Sequence, residues 1–148
     1  MGTAFHGAAV ITLDAKGRIA IPTRHRAALL NADGLVLTAH PDGCVLIYPS
    51  AEWEPVRSKV EAFPSFNPQA SWWKRLLLGF EEHVSLDGSG RILLPGALRA
   101  HASLQRDAMM IGQGHYFELW DSGVWSAKLA QALPGTGTPP PGMEDFSL

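Results

Sequence analysis

Apolar and polar residues alternate from Ala8 to Leu13, the pattern of a strand with one face in a core, and Asp14 to Gly17 then supplies a turn. A more apolar run, Arg18 to Ile21, reads as a second strand, so the spacing predicts a tight hairpin. Pro22 suits a first helical position, and Thr23 to Leu30 reads as a helix ended by Asn31 to Gly34. Leu35–Ala39 and Cys44–Tyr48 are β-prone and flank Pro41-Asp42-Gly43, which predicts a second hairpin. Ser50 is placed to cap a helix toward Phe63, with Pro55 forcing a restart or a kink. Asn67-Pro68 opens another helix, on which Trp72/Leu76 and Trp73/Leu77 are i, i+4 pairs beside Lys74 and Arg75. Such a stripe is ordinarily core, but two adjacent tryptophans also suit a subunit interface.

The later half repeats the earlier one. Leu13-Asp14-Ala15-Lys16-Gly17-Arg18-Ile19-Ala20-Ile21-Pro22 returns 73 residues later as Leu86-Asp87-Gly88-Ser89-Gly90-Arg91-Ile92-Leu93-Leu94-Pro95. Leu, Asp, Gly, Arg, Ile and Pro keep their offsets, and each copy continues to a further arginine, Arg26 or Arg99. Tyr48, Ser50 and Trp53 match Trp120, Ser122 and Trp125 after a one-residue gap, so the repeat covers a small domain in each half. The second copy reads as strand Glu82–Leu86, turn Asp87–Gly90, strand Arg91–Leu94, a helix from Pro95, then strands Ala108–Ile111 and His115–Trp120 around Gly112–Gly114. The expected organisation is copy one over residues 1–54, a helical connector over 55–79, copy two over 80–126, and a helix end with a flexible Pro/Gly tail over 127–148. A copy of roughly 50 residues buries too little apolar surface to be comfortable alone, so the halves should share one core.

Composition narrows the function. At 46% hydrophobic and 18% charged the chain is globular in character, and no apolar run approaches a membrane span. Met1 to Val10 has no basic segment before an apolar stretch, so a secretory leader is not expected, and the reading is a cytoplasmic protein without a membrane partner. The single Cys44 permits neither an intrachain disulfide nor a thiolate zinc site. His6, His25, His40, His83, His101 and His115 show no metal-binding spacing, so no metal is expected. Ser50 and Ser85 lie in no nucleophile elbow, and Gly112-Gln113-Gly114 is too short for a dinucleotide fingerprint. The chain therefore reads as no enzyme, with no cofactor and no small-molecule substrate.

A net charge of −2 hides a local excess, because Asp14 to Arg26 sets Lys16, Arg18, Arg24 and Arg26 against one carboxylate. Asp14 can accept from backbone N–H groups and hold the turn while Gly17 permits a positive φ. Lys16 and Arg18 would then stand side by side on a rigid tip, one a point charge suited to phosphate, the other a fork suited to guanine or phosphate. Asp14 and Arg18 recur as Asp87 and Arg91, so a structural ion pair explains them equally well, whereas Lys16 faces Ser89 in the other copy and needs a role of its own.

Tandem Asp-x-x-Gly-Arg-(x)3-Pro elements, the first written Asp-x-Lys-Gly-Arg and followed by Pro-x-Arg-x-Arg, resemble the MraZ family of SpoVT/AbrB-like swapped-hairpin transcriptional regulators over about residues 5–130. The resemblance implies a mainly β fold with short helices, an α+β arrangement in which two tandem half-barrels interlock into one pseudo-twofold swapped-hairpin β-barrel, with protomers assembled into a ring homo-oligomer. It further implies a nucleoid-associated DNA-binding regulator, a transcription repressor, acting on G-rich direct repeats in double-stranded DNA upstream of the division and cell-wall gene cluster. Family DNA contacts fall on Lys16 and Arg18, with Arg24 and Arg26 as phosphate partners. Asp14, Gly17, Asp87, Gly90 and Arg91 are turn-structuring. Copy two lacks the lysine and is assigned to structure and assembly. The alternative is an antitoxin-like protein-binding module, since related swapped-hairpin proteins hold a partner through a flexible C-terminal segment; Gly142 to Leu148 is short for that, and copy two is a complete domain.

Overall fold

A computed structural model describes residues 4–135 and 137–147. The leader and tail expectations that fall on residues 1–3, 136 and 148 lie outside the described residues. Copy one gives β1 (Ala8–Thr12), β2 (Arg18–Ala20), α1 (Thr23–Leu30), β3 (Leu35–Ala39), β4 (Val45–Pro49) and α2 (Ser50–Glu61). Helix α3 (Pro68–Leu77) follows. Copy two gives β5 (Glu82–Val84), β6 (Arg91–Leu93), α4 (Gly96–His101), β7 (Asp107–Gly112), β8 (Phe117–Asp121) and α5 (Ser122–Ala132), with a 3-10 turn over Leu133–Gly135.

Six strands form one antiparallel sheet in the order β1-β7-β8-β4-β3-β5, and β2 pairs with β6 in a separate ribbon. Exchanging the copies reverses the six-strand order onto itself, which is the signature of an internal twofold. The first hairpin expected from sequence is corrected here. β1 and β2 form no ladder together; β1 runs antiparallel to β7, with Val10 opposite Met109, and β2 runs antiparallel to β6, with Ile19 opposite Ile92. Only the turn itself closes locally, through Asp14 N–H to Arg18 O and Gly17 N–H to Asp14 O. Each copy thus lends its first two strands to the other, and the fold is an α+β pair of interlocked half-barrels. β3 and β4 pair as expected, from Leu35 opposite Pro49 to Ala39 opposite Val45.

One face of the sheet, with Ile11, Leu37, Ile47, Met110, Phe117 and Leu119, packs against Ile19 and Ile92 of the ribbon in a core shared by both copies. The other face carries Val36, Leu46, Tyr48 and Trp120, with Trp53 and Val60 of α2 and Leu77 of α3 over them. Thr38 is buried there, and its hydroxyl donates to the Leu77 carbonyl at 2.7 Å, tying α3 to β3.

Four local expectations shift. Pro22 is the residue before the helix rather than its first turn, with ψ near 138°, and Pro95 repeats this. Pro49 occupies the cap position of α2, so Ser50 lies inside the helix and makes no capping bond; in copy two Asp121 stands there and accepts from Val124 N–H at 3.0 Å. Of the restart or kink expected at Pro55, the restart does not occur, since α2 runs through it. The ring sits on the exposed side, where the Ala51 carbonyl deprived of its helical partner can meet water. Asn67 caps α3 as expected, accepting from Ala70 N–H at 3.1 Å with Pro68 at the first position. The tryptophan stripe is no core stripe: Trp72 is 60% and Trp73 39% exposed, while Leu77 is buried.

Candidate nucleic-acid interface

The turn beside the β2–β6 ribbon is built from its carboxylate outward. One oxygen of Asp14 accepts from the backbone N–H groups of Lys16 and Arg18, both at 2.9 Å, and the other takes the Arg18 Nε at 2.7 Å. Gly17 completes the loop at φ +84°, a conformation that a Cβ disfavours. Asp87 does the same in copy two, accepting from Ser89 N–H at 2.8 Å and Arg91 N–H at 3.0 Å, with Gly90 at φ +74°. Accepted backbone bonds, from Arg18 first at Asp14 and from Arg91 first at Asp87, hold both carboxyls below the usual carboxylate range. Both turns therefore stay ionised and closed at neutral pH.

The ribbon joins the two turns. Leu94 N–H donates to Gly17 O and Ile21 N–H to Gly90 O, each at 2.9 Å, so each copy's turn is stitched to the strand end of the other. Ile19 and Ile92 point into the core, which leaves Arg18, Ala20, Arg91 and Leu93 on the outward face. Arg91 leans across it, its terminal nitrogen 3.8 Å from the Asp14 carboxylate and its Nε 3.4 Å from Asp87. Lys16 is exposed at the tip.

The four cations singled out from sequence do not converge on one point. Lys16 and Arg18 are adjacent on the turn and ribbon. Arg26 donates from Nε to Ile21 O at 2.8 Å, and a Cβ on Gly90 would lie 2.6 Å from that nitrogen, so Arg26 braces the turn of the other copy. Arg24 lies against Gly7, with its Nε on the His25 ring at 3.0 Å. Gly7 precedes β1 and Asp14 follows it, which puts the Arg24 contact about 17 Å of strand from the turn. Sequence reasoning missed Arg99. Its Nε donates to Leu94 O at 3.2 Å and its guanidinium would be 2.9 Å from a Cβ on Gly17, so a copy-two arginine braces the turn that holds Lys16. The available signal was the matching offset of Arg26 and Arg99; the crossing of the two copies could not be read from it.

Rigid backbone, an exposed lysine and a two-stranded ribbon with outward arginines form the kind of surface that enters a major groove. Among the described residues no group of three or more His, Cys, Asp or Glu side chains is placed to hold a metal ion, and no helix is long and apolar enough to cross a membrane.

A family model described as "MraZ protein, putative antitoxin-like" matches residues 4–76 and again residues 77–135, one match per copy. The chain belongs to the MraZ family. It is 49% identical to a transcriptional regulator MraZ of Aromatoleum aromaticum, covering 97% of this chain and 99% of that protein. The transcriptional regulator MraZ of Ralstonia pickettii is 49% identical, over 88% of this chain and 94% of its own. That of Methylobacillus flagellatus is 47% identical, over 97% and 99%. Two MraZ matches in tandem follow the same division of the chain as the repeated turn.

Proposed function

We propose that this chain is a sequence-specific DNA-binding transcriptional regulator, a repressor of the division and cell-wall gene cluster, whose ring homo-oligomer sets Asp14-Lys16-Arg18 turns on successive G-rich direct repeats. Membership of a family whose relatives are named transcriptional regulators supports the regulatory role. The observation that carries the DNA contact is the exposed Lys16 beside Arg18 on a turn locked by three bonds to Asp14. Arg18 uses its Nε on Asp14, which orients the guanidinium and leaves its terminal nitrogens for a guanine edge or a phosphate. Arg24 and Arg26 serve as phosphate partners from α1. The protein acts in the cytoplasm on the nucleoid, and carries out no catalysis.

One protomer neutralises too few phosphates for tight binding at physiological salt. Neighbouring subunits on adjacent repeats make each later contact intramolecular, which raises avidity by ~10² or more. Arg18→Ala is expected to abolish specific retardation of a repeat-containing duplex with the native mass unchanged. Lys16→Ala is expected to lower the salt slope of binding by about 1. Unaltered DNA binding in both variants refutes the site.

A further inference from the structure

The internal twofold is broken at one place, and the break leaves a seat uncovered. In copy one, α3 lies over the outer face of β3, where Val36 and Thr38 are fully buried. Their counterparts 73 residues on are Met109 and Ile111 of β7, which stand only half-buried. Among the described residues no counterpart of α3 follows α5; a 3-10 turn and the exposed residues 137–147 follow instead. The edge strands differ to match. Opposite Val36 stands His83 on β5, polar, exposed and paired with Glu81, whereas opposite Met109 stands Val10, 73% exposed. Ala8 lies opposite Ile111, so Ala8, Val10, Met109 and Ile111 form an apolar patch on the outer side of β1 and β7. Trp125 is half-buried and Leu129 is 40% exposed one turn on, bordering the patch from α5.

Helix α3 is itself covered on one side only. Leu77 is buried against Val36, while Trp72 and Trp73 stay exposed and Arg75 stacks over Trp72 at 4.7 Å. We propose that the outer face of β1 and β7 receives the Trp72/Trp73 face of α3 from a second copy of this chain, as the subunit contact of the assembly put forward above. The occupant is identified by shape and charge. The seat is the twofold image of the place where this same helix packs, and contiguous exposed apolar residues rimmed by polar ones mark an interaction site. Buried aromatic residues and arginine are what interface centres are enriched in. Asp107 is exposed at the end of the patch, opposite Thr12, and offers a carboxylate to the cations Lys74 and Arg75 beside the tryptophans. Because the seat on β1 and β7 and the exposed face of α3 are two different surfaces of the chain, the contact is heterologous and propagates from subunit to subunit, closing into a ring when the rotation permits.

The inference rests on the assembly part of the proposed function and not on its DNA contacts. It is tested on the full chain by native mass in solution, with near-ultraviolet circular dichroism to verify packing. Trp72→Glu and Val10→Glu are each expected to fall from the assembled mass to that of one chain. An equimolar mixture is expected to recover a species of two chains and no larger, because the intact α3 of one variant meets the intact seat of the other. Should Val10→Glu lose its native packing, Ala8→Glu on the same exposed patch takes its place. Either variant keeping the wild-type mass, or a mixture remaining monomeric, overturns the choice of faces while leaving assembly standing. Loss of assembly in Trp72→Glu alone points to α3 against α3 and also overturns it. A wild-type chain that runs as a monomer ends both this inference and the ring.

Discussion

At Gly17 a hydrogen atom in place of a Cβ decides the shape of the putting-forward of Lys16, because the backbone there sits at φ +84° and the Arg99 guanidinium occupies the space a side chain would enter. The Asp14 bonds to Lys16 N–H and Arg18 N–H depend on that backbone conformation. An L side chain in the left-handed region costs about 1–2 kcal/mol. Arg99 is the flexible end of a side chain and can give way, so the backbone strain, not the clash, sets the minimum penalty. Gly17→Ala is expected to lower unfolding stability by about 1–2 kcal/mol in denaturant titration and to weaken DNA binding, since the displaced Arg99 no longer braces the turn. A variant as stable as wild type would mean that the turn is not held in the left-handed conformation. The residue scale is also where the sequence is most legible: at Asp14, Gly17, Asp87 and Gly90 an Asx turn and a positive φ are local demands that one short segment states in full.

Strand pairing is a different matter at the level of elements. The pattern around Asp14 fits a hairpin between β1 and β2, yet the ladders run β1 to β7 and β2 to β6. Two copies of one unit offer each strand an equivalent partner inside its own copy or across, and alternation of apolar residues is satisfied by both. Local turn chemistry therefore does not determine the ladder. The helix starting at Asn67 was legible because a cap and a proline mark it locally, whereas the exposure of its tryptophans depends on what α3 packs against. Exchange between copies also assigns Arg99 to the turn of Lys16, through its bond to Leu94 O and its contact at Gly17. One side-chain hydrogen bond of this kind is worth about 0.5–1.5 kcal/mol, which corresponds to roughly 2- to 13-fold in affinity. Arg99→Ala is expected to raise the Kd for a repeat-containing duplex by about that factor, measured at fixed salt by fluorescence anisotropy. Wild-type affinity would leave copy two without a part in presenting the turn.

For the whole molecule the interlocking means that neither copy owns a complete core. Ile19 of copy one and Ile92 of copy two face each other across the ribbon, and Ile11 and Met110 lie together beneath it with Leu37 and Phe117. A chain holding only residues 1–79 would keep β3 and β4 paired but would leave β1 and β2 without the strands they pair with. Its unmatched strands resemble those of β5 and β6 closely enough to substitute for them, since Leu, Asp, Gly, Arg, Ile and Pro recur at the same offsets. Two such fragments can therefore exchange their first strands and rebuild the reversed six-strand order as a true twofold, now with Lys16 in both turns. Folding of the fragment should then be bimolecular, with stability that depends on concentration. Each tenfold rise in fragment concentration is expected to add about 1.4 kcal/mol to its apparent stability, read as a climbing midpoint in thermal or denaturant unfolding, while the full chain shows no such dependence from its own internal exchange. A fragment 1–79 that folds as a monomer, with a midpoint insensitive to dilution, would show that one copy closes its own core and that β1 can pair within it after all.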